Sequence, residues 1–404
     1  MTKNFKTYFR FYLISLFFFS IIFLIEKHDG GSDSTISEWL INYSGGFTKR
    51  GIIGQISIFI SNLLSIGLRD AILIFQITTI GIYYFLIFNF IKNIKTNRII
   101  ILSILTPIFL LYPVAEIEVL ARKEFFIFCI FICYLFLDNS KKRNIFKILI
   151  LPLAVLIWEP VVFYFIFFLV LDIIQDELKK IDKKIFINLL TYIPALIIAI
   201  HIALNPISED NHQLMADYLK NNFDQECYMS CALLKSKASL YQQFQGNFDK
   251  YSFVVFFRYF LIILIGFGPL IILSKNSTLK NPNLLFFKFF KNLFVPISLI
   301  LAPVILLFAM GYDWGRWVNI SYVFALIFYL YLFKNQKINL NKSFLKKKNF
   351  RYLKNNKIFI IIILIFCFGW NPKTVITGDV ASKPGYQIPK KAIKIIYSNL
   401  SKND

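Results

Sequence analysis

The chain has 404 residues, of which 57% are hydrophobic and 17% charged, and 47 of them are phenylalanine. Soluble domains contain about 45–50% apolar and about 25% charged residues. This composition therefore excludes a soluble enzyme, a disordered chain and a small disulfide-rich secreted domain. The net charge of +22 would suggest nucleic-acid binding in a soluble protein. The sequence contains no nucleic-acid motif, however, and basic residues held at the cytoplasmic face of a membrane account for the excess.

Long apolar runs, taken in chain order, predict an all-α bundle of about eleven membrane spans. The first run has no small-residue cleavage site after it, so it is interpreted as a retained span rather than a cleaved signal. The two runs on either side of Pro160 are short, which is typical of half-depth helices that meet inside a membrane. The predicted spans are 8–25, 71–91, 99–115, 125–137, 148–158, 161–174, 185–204, 252–273, 293–310, 317–333 and 358–370.

The charges orient this bundle with its N-terminus in the cytoplasm. The inside segments then hold 27 of the 45 basic residues but only 5 of the 23 acids, as the positive-inside rule requires. Residues 1–404 form one transmembrane domain of an inner-membrane protein. Within this domain the sequence predicts four segments outside the spans. They are a first outer loop with a surface helix (26–70), a large outer loop (205–250), a basic cytoplasmic loop (334–357) and a tail assigned to the outside (371–404).

Residues 51–68 are the ambiguous segment of this topology. Gln55, Ser57, Ser61 and Asn62 interrupt its apolar residues, which favours an amphipathic helix on the outer surface. A twelfth span is the alternative. The large outer loop is interpreted as a partial lid on the acceptor side or as a spacer.

Ionisable residues near or inside apolar runs collect on the predicted outer side. An ionisable residue inside a membrane segment is energetically costly and is usually functional. Each has a structural alternative: lysines and arginines extend towards water, Asp313 and Arg316 pair with each other, and the acids of the first loop face solvent. Glu159 has no basic residue within ten positions, so a distant partner or a raised pKa is expected. The candidates are Asp29, Asp33, Lys49, Arg50, Arg122, Lys123, Glu159, Asp313 and Arg316.

Cations and carboxylates at one membrane face suit a substrate with a phosphate headgroup, a lipid tail and a polar outer group. A polyprenyl-phosphate-linked sugar has all three features. Transfer of its sugar to a hydroxyl needs a carboxylate as general base and cations that stabilise the departing phosphate. We therefore expect membrane lipid and a polyprenyl-linked sugar as partners, together with other proteins of glycan assembly.

This layout resembles the GT-C class of membrane glycosyltransferases and related surface-polysaccharide polymerases and ligases. The shared features are an N-terminus inside, an acidic first outer loop, a surface helix after it and many spans. In that class the catalytic carboxylate lies in the first outer loop, often as adjacent acids. Here Asp29 and Asp33 are separated by three residues, and Glu38 lies further on. The Tyr312-Asp313-Trp314-Gly315 string is only superficially similar to the WWDxG motif of oligosaccharyltransferases.

The leading hypothesis is thus a glycosyltransferase or polysaccharide-assembly enzyme with Asp33 as the base and Asp29 in reserve. Glu159 and Asp313 orient hydroxyl groups in this hypothesis. The phosphate is held by Lys49, Arg50, Arg122, Lys123 and Arg316. The alternatives are a transporter or flippase of a lipid-linked or anionic solute, and a non-catalytic subunit of an assembly complex.

Cysteine and histidine give little further chemistry. Cys227 and Cys231 lie four apart in the large outer loop, where an oxidising compartment would permit a disulfide. The three histidines are scattered and the spacing fits no zinc motif, so no metal site is predicted. The sequence leaves a requirement for a divalent metal cofactor open.

Overall fold

The computed structural model is almost entirely helical and describes residues 3–31, 33–120, 122–235, 242, 245–246, 248, 250–341, 343, 353–376 and 380–401. The helices up to the middle of the chain are α1 (Lys3–Gly30), α2 (Ser34–Leu40), α3 (Gly51–Leu64), α4 (Leu68–Ile91), α5 (Arg98–Leu105), α6 (Tyr112–Ala115), α7 (Glu124–Leu135), α8 (Ser140–Ile157) and α9 (Phe165–Gln175). The later ones are α10 (Lys183–Leu190), α11 (Ile193–Leu204), α12 (Glu209–Phe223), α13 (Phe253–Gly266), α14 (Gly268–Lys275), α15 (Phe294–Leu301), α16 (Ile305–Met310), α17 (Trp314–Lys334), α18 (Asn356–Ile362) and α19 (Pro384–Leu400).

Within the described residues, four helical segments are long and apolar enough to cross a membrane. A fifth is obtained if α13 and α14, which meet at 57°, form one bent span. The prediction of an all-α fold is confirmed, whereas the count of eleven spans is not. The four segments are Phe5–Gly30, Leu68–Ile91, Lys183–Leu204 and Trp314–Lys334.

Proline and polar residues divide several of the predicted spans into shorter helices. Helix α5 ends at Leu105, directly before Thr106 and Pro107, because a residue that precedes proline disfavours the helical conformation. A 3₁₀ turn that contains Pro303 separates α15 from α16. Helix α8 ends at Ile157, and an extended Trp158 leads into a 3₁₀ turn over Glu159–Tyr164. The predicted break beside Pro160 is therefore confirmed, and it places Glu159 at the junction.

The first helix is longer than predicted and changes the first loop. Helix α1 continues to Gly30, so Asp29 lies in its last turn, and the loop does not begin at residue 26. Asp33 then caps the N-terminus of α2, where its carboxylate accepts a hydrogen bond from the Thr35 amide. Helix α2 is buried from Thr35 to Leu40 and holds Glu38 inside the bundle.

Helix α3 has 14 residues and rises about 21 Å at 1.5 Å per residue. This is shorter than the hydrocarbon core of about 30 Å, so its length argues against a twelfth span. Gly54, Ser57 and Ser61 face the protein. The exposed residues of this helix include the polar Gln55 and Asn62 and the apolar Phe59 and Leu63. The prediction of a helix in this segment is confirmed, but its polar residues do not all point outward.

Helix α17 is the central helix of the fold. Every residue from Trp314 to Leu332 is buried, as expected of a helix that is apolar all round. Arg316 and Asn319 are the polar exceptions near its start, and Asn319 donates hydrogen bonds to the Ile108 and Phe109 carbonyls. The position of α17 therefore places the Arg316 guanidinium deep in the bundle.

Two short antiparallel sheets join the connecting segments in the described part of the chain. Strand β1 (Ser277–Leu279) pairs with β2 (Ile338–Leu340), and β3 (Trp370–Asn371) pairs with β4 (Ala381–Ser382). Much of the predicted basic loop 334–357 lies outside the described residues. The same applies to parts of the predicted loop 205–250 and of the tail 371–404.

Candidate functional site

Arg50 joins three distant parts of the chain. Its Nε and Nη2 atoms donate to the two oxygens of Glu159, each at 2.8 Å, and Nη1 donates to Glu38 Oε1 at 3.0 Å. The backbone of Arg50 is left-handed, with φ at 63°, at the start of α3. The bidentate geometry of the Arg50–Glu159 pair is the strongest form of this interaction. It ties the loop before α3 to the break after α8.

Glu38 lies at the centre of the charges and is completely buried. Its second oxygen accepts from Arg122 Nη1 at 3.3 Å. Arg122 also donates to the Glu118 carbonyl at 2.7 Å and to Ser34 Oγ at 2.6 Å. Burial alone would raise the pKa of Glu38, but the charges of Arg122 and Arg50 outweigh it and lower the pKa to about 2. Glu38 is therefore an anion that holds two arginines.

Arg316 forms a second group of contacts beside the first. It makes ion pairs with Glu124 and, at 3.1 Å, with Asp313, and its positive charge also acts on Glu38. The guanidinium carbon lies 5.1 Å from the centre of the Trp317 ring, within the range of a cation–π contact. Together these residues make one cluster, called the ion network here. Its members are Glu38, Arg50, Arg122, Lys123, Glu124, Glu159, Asp313 and Arg316.

The ion network has unused hydrogen-bonding capacity. Arg316 Nε, Glu124 Oε2, Trp158 Nε1 and Trp317 Nε1 are buried without a partner among the described residues. The Trp158 and Trp317 rings lie 6.2 Å apart, so these groups occupy one neighbourhood. Buried polar groups are normally hydrogen-bonded. Three donors and one acceptor in this position are suited to a polar or anionic ligand.

Six of the nine predicted site residues are thus brought together, and three are not part of these contacts. Asp29 is exposed and pairs with His28 at 2.8 Å. The Asp33 carboxylate pairs with Lys27 and caps α2. Burial opposes ionisation of Asp33, but the hydrogen bonds from Lys27 and Thr35 outweigh it and lower its pKa. Lys49 is exposed beside Arg50, within electrostatic range of Glu159.

The structure also corrects the expectations for single residues. Of the two alternatives expected for Glu159, the structure shows the distant partner, Arg50. The pKa of Glu159 is lowered, because the charges of Arg50 and Lys49 outweigh the effect of burial. Asp313 and Arg316 do pair with each other, and Arg316 has Glu124 as a further partner. Glu38 and Glu124 are central although the sequence analysis gave neither a role. The sequence does contain an indication that Glu38 is buried, since the apolar residues Trp39, Leu40 and Ile41 follow it directly.

The segment that contains α12 packs against the turn before Arg50. A Cβ added at Gly45 would lie 1.8 Å from the Asn211 carbonyl oxygen, so only glycine permits this approach. Further along, the Ser230 amide donates to Ser37 Oγ at 3.1 Å, beside Glu38. Cys227 and Cys231 are joined in a disulfide within this segment. The segment therefore covers the loop that carries two members of the ion network.

Lys123 makes the stability of the protein dependent on pH. Its Nζ is buried and donates to the Arg50 carbonyl at 2.6 Å, and burial lowers its pKa from 10.5 to about 7. The unfolded chain then binds more protons than the folded chain between these values, so stability rises with pH across this interval. We expect thermal unfolding, measured from pH 6 to 10, to show a steeper rise of stability with pH in the wild type than in Lys123→Met, where other groups with a lowered pKa, such as Lys49, remain. Parallel curves would show that Lys123 is not perturbed.

Searches against family models, curated proteins and solved structures find no match to this chain.

Proposed function

We propose that the protein is a multi-pass protein of the cytoplasmic membrane and a glycosyltransferase that uses a polyprenyl-phosphate-linked sugar on the outer side. The observation that carries this proposal is the convergence of cations from three separate segments, around residues 50, 122 and 316, on one buried network. Cations at such a position would bind a phosphate headgroup and stabilise it as it leaves.

The charge balance of the ion network is compatible with an anionic ligand. Four carboxylates face three arginines and Lys123, whose pKa is lowered to about 7, and Lys49 stands beside them. The unpartnered Arg316 Nε and the two indole N–H groups supply donors that no carboxylate occupies. A phosphate oxygen or a sugar hydroxyl would satisfy them without breaking the Arg50–Glu159 pair. An anion near Lys123 would also favour its charged form.

The transfer step needs a carboxylate with an accessible oxygen. The acceptor hydroxyl attacks the anomeric carbon, the bond from that carbon to the phosphate oxygen breaks, and the hydroxyl proton passes to the carboxylate. Asp313 is partly exposed, at 27%, and its contact with Arg316 uses only Oδ2. Both oxygens of Glu159 are held by Arg50, and Asp33 is engaged by Lys27 and Thr35. The geometry therefore favours Asp313 over Asp33 as the base.

A transfer assay with the purified full-length protein in liposomes and a polyprenyl-phosphate-linked sugar tests this proposal. We expect Asp313→Asn to lower the rate by about 100-fold or more, the usual contribution of a general base. We expect Asp33→Asn to lower it by less than about tenfold, because asparagine still caps α2 and only the ion pair with Lys27 is lost. The matched control is Glu177→Gln, which affects only an exposed pair with Lys337. Full activity in both Asp313→Asn and Glu159→Gln would overturn the assignment.

A further inference from the structure

A histidine and two cysteines meet in the segment that covers the ion network. His212 on α12 is buried, with 1% of its surface exposed, and Cys231 is fully buried. The ligand atoms of His212, Cys227 and Cys231 lie within 4.8 Å of one another. His212 Nε2 is 3.3 Å from Cys227 Sγ and 3.1 Å from the Cys231 carbonyl oxygen. Two thiolates and an imidazole form a donor set that zinc prefers.

A purely structural role for the disulfide does not explain why His212 is buried beside the two cysteines. A disulfide between residues four positions apart closes a short loop, and the entropic stabilisation from a crosslink falls as the loop shortens. His212 Nδ1 is buried without a partner among the described residues. With Nε2 donating to the Cys231 carbonyl, Nδ1 is an unsatisfied acceptor. Metal binding through Nε2 would replace its hydrogen bond to the Cys231 carbonyl and move the ring proton to Nδ1, which has no competing partner among the described residues.

From this arrangement we propose that His212, Cys227 and Cys231 form a Zn²⁺ site when the disulfide is reduced, so that metal binding and the disulfide are alternative states of one segment. A dithiol reductant supplies two electrons and two protons, is itself oxidised to a disulfide, and leaves two thiols. Zn²⁺ binding displaces both thiol protons. The bound cation is then neutralised by two thiolates, with the imidazole as a third ligand and one position open.

The distances require only a small movement. Zinc–sulfur bonds of about 2.3 Å and a zinc–nitrogen bond of about 2.0–2.1 Å place the nitrogen and sulfur of a tetrahedral site about 3.5 Å apart. The observed separation of His212 Nε2 and Cys227 Sγ is 3.3 Å. The main change is the separation of the two sulfur atoms once their bond is broken. Cys227 is half-buried, which gives a reductant access from one side.

Both states act on the segment that packs against α2 and the turn before Arg50. His212 belongs to the helix that packs on Gly45, and Cys231 follows Ser230, whose amide donates to Ser37. The disulfide links only Cys227 and Cys231, whereas the metal would also join them to α12. Zinc binding would therefore fasten α12 to residues 227–231 and hold both over the loop of the ion network.

Zinc titration of the full-length protein in detergent tests the proposal. After treatment with a chelator and a phosphine reductant, we expect one Zn²⁺ per chain, and we expect the oxidised protein to bind none. His212→Ala is expected to weaken binding by at least about 100-fold, because it removes a metal ligand and the loss of a partner that only orients a ligand already costs about 10–100-fold. His212→Cys is expected to retain binding. The thiolate charge-transfer absorption of Co²⁺ reports the same site.

The matched control is a Cys129→Ser and Cys133→Ser variant. This pair has the same spacing on α7 but lies in an apolar helix, so its removal is expected to leave zinc binding unchanged. Equal zinc binding by the reduced and oxidised proteins would overturn the proposal, as would unchanged binding in His212→Ala. Neither result depends on the glycosyltransferase assignment.

Discussion

Replacing Arg50 with alanine is expected to destabilise the protein by about 3–5 kcal/mol and to abolish transfer, because removal of one partner leaves buried charge uncompensated. Arg50 is the only described side chain that contacts both Glu38 and Glu159. Its loss leaves Glu159 without its pair and Glu38 with Arg122 alone. Chemical denaturation in detergent measures the stability, and the liposome assay measures transfer.

Two further variants separate charge from geometry at this position. Arg50→Lys keeps the positive charge but loses the planar guanidinium that binds Glu159 through two nitrogens. We therefore expect this variant to keep most of the folding stability and little of the transfer rate. Lys337→Ala removes only an exposed pair with Glu177 and is expected to cost about 0–1 kcal/mol. If Arg50→Ala lowered the free energy of unfolding by no more than this control does, the ion network would not stabilise the fold.

Gly54→Ala is expected to destabilise the protein by about 1–3 kcal/mol, the usual cost of overpacking, and to lower transfer. A Cβ at Gly54 would lie 2.0 Å from the Ile41 carbonyl oxygen and 2.7 Å from that of Trp39. Both oxygens are backbone atoms next to Glu38, so α2 must move and carry that carboxylate away from Arg50. Denaturation curves and the transfer rate measure the two effects.

Gly81 supplies the matched control for this substitution. It also lies inside a helix, but its added Cβ would meet only the Phe17 ring at 3.5 Å, an ordinary contact. Because alanine is the better helix former by about 1 kcal/mol, Gly81→Ala should be neutral or stabilising. If Gly54→Ala behaved in the same way, the close approach of α2 and α3 would not position the site.

The grouping of the charged residues was accessible from the sequence, whereas their pairing was not. The cost of ionisable groups in apolar runs was enough to select Arg50, Arg122, Glu159 and Arg316. Glu159 and Arg50 are 109 positions apart, and nothing local specifies that the break after α8 faces the start of α3. Only tertiary packing decides which carboxylate each guanidinium meets.

Glu38 was assigned no role from the sequence, since the resemblance to GT-C enzymes favoured Asp33 and Asp29 of the same loop. The apolar residues that follow it, Trp39 to Ile41, signalled burial, and the structure places the whole of α2 inside the protein. Asp33 was selected on the resemblance to GT-C enzymes, but its carboxylate caps that same helix. A cap and a buried acid four or five residues later are a local pattern that identifies the inward-facing residue.

The count of eleven spans is not confirmed, because hydropathy does not register helix breaks. Pro107 and Pro303 each lie in an apolar run that was taken as one helix, and the structure divides the chain at both. The all-α membrane class was predicted from the overall composition, and helix breaks at single prolines do not change that composition. The helix lengths depend on single residues and were correspondingly less predictable.

Native mass spectrometry of the full-length protein with a polyprenyl phosphate and the polyprenol of the same length tests most directly whether the ion network binds a phosphate headgroup. Charge-assisted hydrogen bonds contribute about 1.5–3 kcal/mol each, so the phosphate form should bind at least about tenfold more tightly in the wild type. Arg316→Ala should remove most of that difference. Equal binding of the two lipids by the wild type would contradict the account.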